Sequence, residues 1–332
     1  MRIFVVGGTG VIGRRIVQKL VENDHKVYVL SRSEEKSKWI LEQGAEPLKG
    51  SMFDLEQMNS FTANMDGIVN MATSIPKKMK TKPKDWKETC KIRDEGKMVL
   101  IQACLDNHCK FLVQESFLMV YGDRQGEWVD ESTPILKPVP LAYNLKAGFH
   151  KILNNAVSGE ELIKKANHDN NLPSIVLRYG VFYAQDASTT IDMIRMIKKH
   201  RFPIIGSGNS FTNPIHVDDA ASATIKAVEN YQRVVGKTFN ICDDEPVKIG
   251  DFFRYVASAT GSKKPRRLPL FLAKLAVDPY ILNVIFSSVR CKNTLAKDLL
   301  DWNLQYPTYR EGISEIANNF EFNRQEIVNI TH

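Results

Sequence analysis

Three glycines spaced three apart open the chain: Gly7, Gly10 and Gly13, in the run Gly7-Gly-Thr9-Gly10-Val11-Ile12-Gly13. Residues without side chains at this spacing let a bare backbone approach an anion, so that phosphate oxygens can take N–H donors directly. Further along, Ser31-Arg32 sets a hydroxyl beside a guanidinium at a point where an acid would repel a phosphate ester. The chemistry these residues offer is the binding of phosphates.

Such a loop works only if strand and helix hold it. Arg2-Ile-Phe-Val-Val6 is a short β-branched and aromatic run ending at Gly7, after which Ile16, Val17, Leu20 and Val21 recur at helical spacing. A second apolar run, Lys26-Val-Tyr-Val-Leu30, follows soon after Asn23-Asp24-His25. The unit reads β-α-β with a right-handed crossover. In it, Gly7 permits the tight turn, Gly10 the close approach of a pyrophosphate, and Gly13 the packing of helix on strand, with Thr9, Val11 and Ile12 completing the cradle. Dinucleotide binding is expected. Because Ser31 stands where an NAD site carries Asp or Glu, and Arg32 follows it, NADP is favoured over NAD. The alternative is that Arg32 is a solvated surface charge.

The rest of the chain carries Gly50-Ser51-Met52-Phe-Asp54, Ile68-Val-Asn-Met71-Ala72-Thr73, Val120-Tyr121-Gly122 and Leu177-Arg-Tyr179. Ile215-His216-Val-Asp-Asp219 and Phe239-Asn-Ile-Cys-Asp-Asp-Glu-Pro246 follow. In this order and spacing the sequence resembles the extended branch of the short-chain dehydrogenase/reductase superfamily, the NAD(P)-dependent epimerases, dehydratases and reductases. The resemblance implies that Ser51 and Met52 lie at the adenine, with Ser51 replacing the family's acid, and that Met71, Ala72, Thr73 and Tyr179 lie against the cofactor. Ser74, Phe117 and His216 would be nearest a substrate. It also implies a homodimer, built on the long helix over 87–107 and the one near 145–157.

The family mechanism uses a Tyr-x-x-x-Lys pair on one helix face, whose ammonium lowers the phenol's pKa, and a serine after the fifth strand. This sequence departs from that set. Aligned on Val120-Tyr121-Gly122, the serine position falls on Phe117, with Ser116 one residue early. Tyr143 and Lys146 are three apart, leaving Ala142 or Ala147 at one of the two positions, and the asparagine of the long helix is replaced by Arg93. Three apart can still share a face, so Tyr143 with Lys146 is the leading acid/base pair, both as plain packing residues being the alternative. Tyr121, Glu115 and His216 are other sources of a proton.

Composition agrees with a globular protein: 332 residues, 43% hydrophobic and 25% charged. The net charge of +7 points to anionic ligands, and no basic and aromatic stripe suggests nucleic acid. The basic runs Lys198-Lys-His-Arg201 and Lys263-Lys-Pro-Arg-Arg267 read as solvated loops. Five scattered cysteines lack metal-ligand spacing, so no metal is expected, and reduced thiols with no secretory leader suggest a cytoplasmic location. Residues 268–289 are strongly apolar, but Lys274, Asp278 and two prolines argue against a membrane span. Two short packed helices, or an apolar wall over a substrate, are the readings left open.

The expected fold is α/β: a doubly wound parallel Rossmann sheet with a smaller C-terminal α/β substrate lobe. Residues 1–180, with segments around 212–243, would form the nucleotide-binding part, and 181–211 with 244–325 the lobe. Further strands are expected at 45–48, 66–71, 111–114 and 173–178, and a helix over 220–229 capped by Asp218 or Asp219. The leading function is an NADP-dependent oxidoreductase or epimerase acting on a carbinol or carbonyl of a small, apolar or anionic molecule. A catalytically silent NADP-binding redox sensor and an NAD-dependent nucleotide-sugar epimerase or dehydratase are the alternatives.

Overall fold

A computed structural model describes residues 1–76, 82–142, 148–169 and 171–330. Its centre is β1 (Arg2–Val6), in which Ile3, Phe4, Val5 and Val6 are all buried. A strand covered on both faces has no polar side to alternate with, hence the unbroken apolar run. The glycine turn leads into α1 (Val11–Glu22), then β2 (Lys26–Ser31), α2 (Glu34–Glu42), β3 (Glu46–Lys49), α3 (Leu55–Thr62) and β4 (Gly67–Asn70). Helix α4 (Lys87–Lys91), a π turn at Ile92–Gly96 and α5 (Lys97–Asp106) cross to β5 (Phe111–Phe117). Helix α6 (Gly148–Asp169) leads to β6 (Ser174–Tyr179), and the last strand of the sheet is β7 (Thr238–Ile241).

All seven strands are parallel, in the order β3-β2-β1-β4-β5-β6-β7. The direction of winding reverses between β1 and β4, the place where open α/β sheets bind ligands. Alternate strand residues fill two apolar layers. Ile3, Val5, Val29, Val113 and Leu177 meet α1 and the helix Val217–Glu229, whereas Phe4, Val6, Ile68, Leu112 and Val176 meet α3, α5 and α6. Helix Thr294–Leu300 and Trp302 join the first of these layers.

Three expectations change. The fifth strand runs on to Phe117, because parallel pairing with β6 continues through Ser116–Arg178 and Phe117–Tyr179. The long helix runs through 87–106 but carries a π turn at Ile92–Gly96, within which Arg93 is buried. The helix after His216 starts at Val217 and is capped by His216 Nδ1, which accepts from the Asp218 amide at 3.3 Å. Asp219 instead accepts from the amides of Gln305 (2.7 Å) and Tyr306 (2.9 Å), tying a distant loop to this helix.

The remaining helices, Ser188–Lys198, Ile249–Ala259 and the start of Tyr309–Ile330, enclose a separate apolar cluster around Ile194, Val256 and Ile313. The apolar stretch 268–289 forms two short helices, Leu270–Ala276 and Pro279–Phe286. Among the described residues no helix is long and apolar enough to cross a membrane.

Candidate active site

The glycine loop is shaped by contacts that exclude side chains. Gly7 has φ +84°, and a Cβ there would sit 2.6 Å from the Met71 carbonyl carbon at the end of β4. At Gly13 a Cβ would lie 2.2 Å from the Gly7 carbonyl oxygen, so α1 can approach β1 only with glycine there. Gly10 differs: it is exposed, and the nearest atom to an added Cβ is the Gly7 oxygen at 3.3 Å. Gly10 caps α1 without a side-chain acceptor, and the first turn holds no acid. The first turn of α1 begins at exposed Val11, and Thr9 is half-buried. An anion at that point meets free donors and the positive end of the helix, so the cradle fits a pyrophosphate.

At the end of β2 the two expected contacts separate. Ser31 is buried, its hydroxyl donating to the Ser33 carbonyl (3.1 Å) and accepting from Ser37 Oγ (2.9 Å), so it shapes the turn into α2 rather than offering itself to a ligand. Arg32 is exposed, 3.7 Å from Glu88. At the positions expected to meet the adenine, Ser51 Oγ accepts from the Phe53 amide and Met52 is buried against Gly96. Met71 and Ala72 are buried beside the glycine turn, Thr73 is exposed, and the Ser74 carbonyl accepts from Thr89 Oγ1.

Beyond β5 the expected catalytic groups lie apart. Ser116 points toward α6: it is buried and donates to Glu160 Oε1 at 2.5 Å. Phe117, at the family's serine position, lies under the Arg93 guanidinium, 4.4 Å from its ring centre. Arg93 Nε is 3.8 Å from Glu115, with both side chains almost enclosed. Lys97 is buried as well, and burial lowers its ammonium pKa while the charge of Glu115 opposes that.

Tyr121, expected near the reacting atoms, is fully buried. Its hydroxyl lies 2.9 Å from the Asp130 carbonyl and 3.0 Å from Asn240 Oδ1, and accepts from Arg178 Nη1 at 2.8 Å. Burial pushes the phenol well above its ordinary pKa, and its hydroxyl is engaged within the fold. Tyr179 is likewise a core residue: its hydroxyl shares a 2.7 Å bond with Thr224 Oγ1, and its pKa is raised by burial. His216 is enclosed, capping its helix with its ring 4.1 Å from that of Tyr306, and burial lowers its pKa. Tyr143 and Lys146 lie outside the described residues.

Sequence reasoning missed the group that occupies Ser116 and Tyr121. Arg178 of β6 and Glu160 of α6 form a buried pair, Nη2 to Oε2 2.6 Å, with each side chain 2% exposed. The available signal was one arginine inside the strand Ser-Ile-Val-Leu-Arg-Tyr, where a charge demands a partner.

A phosphate cradle opening a parallel sheet, at its switch point, is the architecture of a nucleotide-binding protein. The chain belongs to the NAD dependent epimerase/dehydratase family, whose model matches residues 3–242. The resemblance to the extended short-chain dehydrogenases is thereby established, and members of this group are NAD(P)-dependent oxidoreductases and epimerases. The chain is 25% identical over 321 residues to a 3-diazoavenalumate denitrifying reductase of a Streptomyces species, covering 94% of this chain and 99% of that one. It superposes on human epimerase family protein SDR39U1, solved with NADPH, with a TM-score of 0.76 at 19% identity, over 96% of this chain and 100% of the other. It matches a Thermotoga maritima UDP-glucose 4-epimerase, solved with UDP-glucose, at TM-score 0.75 and 20% identity, over 97% and 99% of the two chains.

Proposed function

We propose that this protein is an NADP-dependent oxidoreductase that reduces a carbonyl, or oxidises the matching carbinol, of a small molecule. Exposed Arg32, just past β2 in a stretch without an acid and with Glu88 3.7 Å away from another element, is the observation that carries the coenzyme choice. Its guanidinium can pair with a 2′-phosphate, whereas the acid that would hold a bare ribose is missing. The name of the Streptomyces relative, a reductase, and the NADPH in the human structure agree with this direction.

The bound coenzyme would supply the hydride. The glycine loop and the first turn of α1 would hold its pyrophosphate, Met52 would pack on its adenine side, and Met71 with Ala72 would form the floor beside β4. Proton transfer falls to Tyr143, with Lys146 lowering its pKa, because Ser116, Tyr121 and His216 are each committed to internal hydrogen bonds. Phe117 and Arg93 stand where the family has its serine and asparagine; Arg93 is held inside by Glu115 and the Phe117 ring, and half-buried Phe117 suits a substrate with a flat apolar part.

The test is an equilibrium titration of NADPH and NADH followed by coenzyme fluorescence. NADPH should bind about tenfold or more tighter, the worth of one charge-assisted contact. Arg32→Ala should erase the difference. Equal binding of both coenzymes by the unaltered protein would refute the choice of NADP. A silent redox sensor gains support from the same Phe117 substitution, and would show tight NADPH binding with no turnover of any carbonyl in a broad screen.

A further inference from the structure

The lobe helix Leu270–Ala276 wears much of its apolar surface on the outside. Ala273 is fully buried and Leu270 packs beside Ile205 and Leu282, whereas Phe271 is 69%, Leu272 42% and Leu275 74% exposed. Positions 271, 272 and 275 share one side of a helix, so they make a single ridge. Directly before it, Lys263, Lys264, Arg266 and Arg267 are all exposed. The short parallel pairing of Ile204 with Arg267 and Ile205 with Leu268 brings a second basic segment to the same edge. Both chains enter these paired strands from one end, so exposed Lys199 and Arg201 lie beside the first run. Residues 263–276 and 196–206 contain no Asp or Glu.

We propose that this face docks the protein onto the surface of an anionic phospholipid bilayer. The ridge of Phe271, Leu272 and Leu275 enters the boundary between headgroups and acyl chains, and the two basic runs meet the lipid phosphates. Charge decides against a second copy of the chain as the occupant: ridge-to-ridge contact would set two groups of cations against each other. The pattern is that of a surface-lying helix with flanking cations, which needs no span. The inference stands independently of the oxidoreductase reading.

Flotation of the full-length protein with vesicles tests it. The protein should float with phosphatidylcholine–phosphatidylglycerol vesicles, stay largely free with pure phosphatidylcholine, and be released by high salt. The double variant Phe271→Asp/Leu275→Asp should lower vesicle affinity about tenfold or more, as should Lys263→Glu/Arg266→Glu. These side chains are exposed, so both variants should melt like the unaltered protein, which separates lost docking from lost folding. Failure to bind anionic vesicles, or undiminished binding by the Phe271→Asp/Leu275→Asp variant, overturns the proposal. So does a protein that ignores vesicles but changes from dimer to monomer in that variant, which would assign the ridge to a second copy. NADPH titration of the same samples reports separately on the coenzyme site.

Discussion

The carboxylate of Glu160 receives both the hydroxyl of Ser116, at 2.5 Å, and the guanidinium of Arg178, at 2.6 Å, inside a closed interface between α6 and the sheet. Neither charge can be removed alone without leaving the other buried and unpaired. Arg178→Met or Glu160→Leu should each cost about 3–5 kcal/mol in denaturant unfolding, and the double variant less than the sum. Ser116→Ala should leave coenzyme binding and turnover intact. Loss of turnover in a well-folded Ser116→Ala protein would return that serine to the chemistry.

Two glycine substitutions should have opposite signatures. Gly13→Ala drives a methyl group to 2.2 Å from the Gly7 carbonyl oxygen and should destabilise the fold by about 1–3 kcal/mol or more. Gly10→Ala meets little, so its melting temperature should stay near that of the unaltered protein. Its methyl group occupies the space a phosphate needs, and NADPH affinity should fall about tenfold or more. If Gly10→Ala binds NADPH normally, the cradle has been misplaced.

Asp243, just after β7, is 1% exposed, and among the described residues its two carboxylate oxygens find no hydrogen-bond partner, nor does the hydroxyl of Tyr183. Burial pushes the Asp243 carboxyl well above the ordinary range, so the native state keeps its proton to higher pH than the unfolded chain does. The unfolded chain releases that proton above about pH 4. The native state therefore holds more protons, and this group's contribution to stability declines as pH rises from about 4. Asp243→Asn cannot ionise, so melting curves between about pH 4 and 7 should show it gaining on the unaltered protein as pH increases. A constant difference across that range would contradict a buried neutral acid.

Tyr143→Phe and Lys146→Met should lower kcat for a carbonyl substrate by about 10²–10⁴ while leaving NADPH affinity within about threefold for the tyrosine variant. Stopped-flow oxidation of NADPH separates the two quantities. Full turnover by Tyr143→Phe would assign proton transfer elsewhere.

The glycine loop, the opening β-α-β unit and the parallel sheet were legible because each is written in local signals: short unbroken apolar runs, helical spacing and glycines at fixed offsets. Side-chain direction at the ends of strands was not. Extending β5 to Phe117 turns Ser116 away from the coenzyme side, and its partner Glu160 lies in a helix 44 residues further on. Ser31 looked available because it stands beside Arg32, but a second serine, Ser37, claims it. His216 takes the cap expected of Asp218 or Asp219, and Asp219 is engaged instead by the amides of Gln305 and Tyr306, far away in sequence.

The seventh strand also sets an order of events during synthesis. When the ribosome has reached residue 180, β6 has only β5 beside it, and its other edge offers a row of unpaired amides and carbonyls. That edge closes only after Thr238–Ile241 has emerged, and the same strand brings Asn240, whose side chain helps seat Tyr121 against Arg178. A shortened product stopping near residue 180 would hold the whole glycine loop and still be an aggregation hazard. The nascent chain must carry this open sheet through some sixty further residues before it can fold shut, a stretch in which a chaperone would have its work.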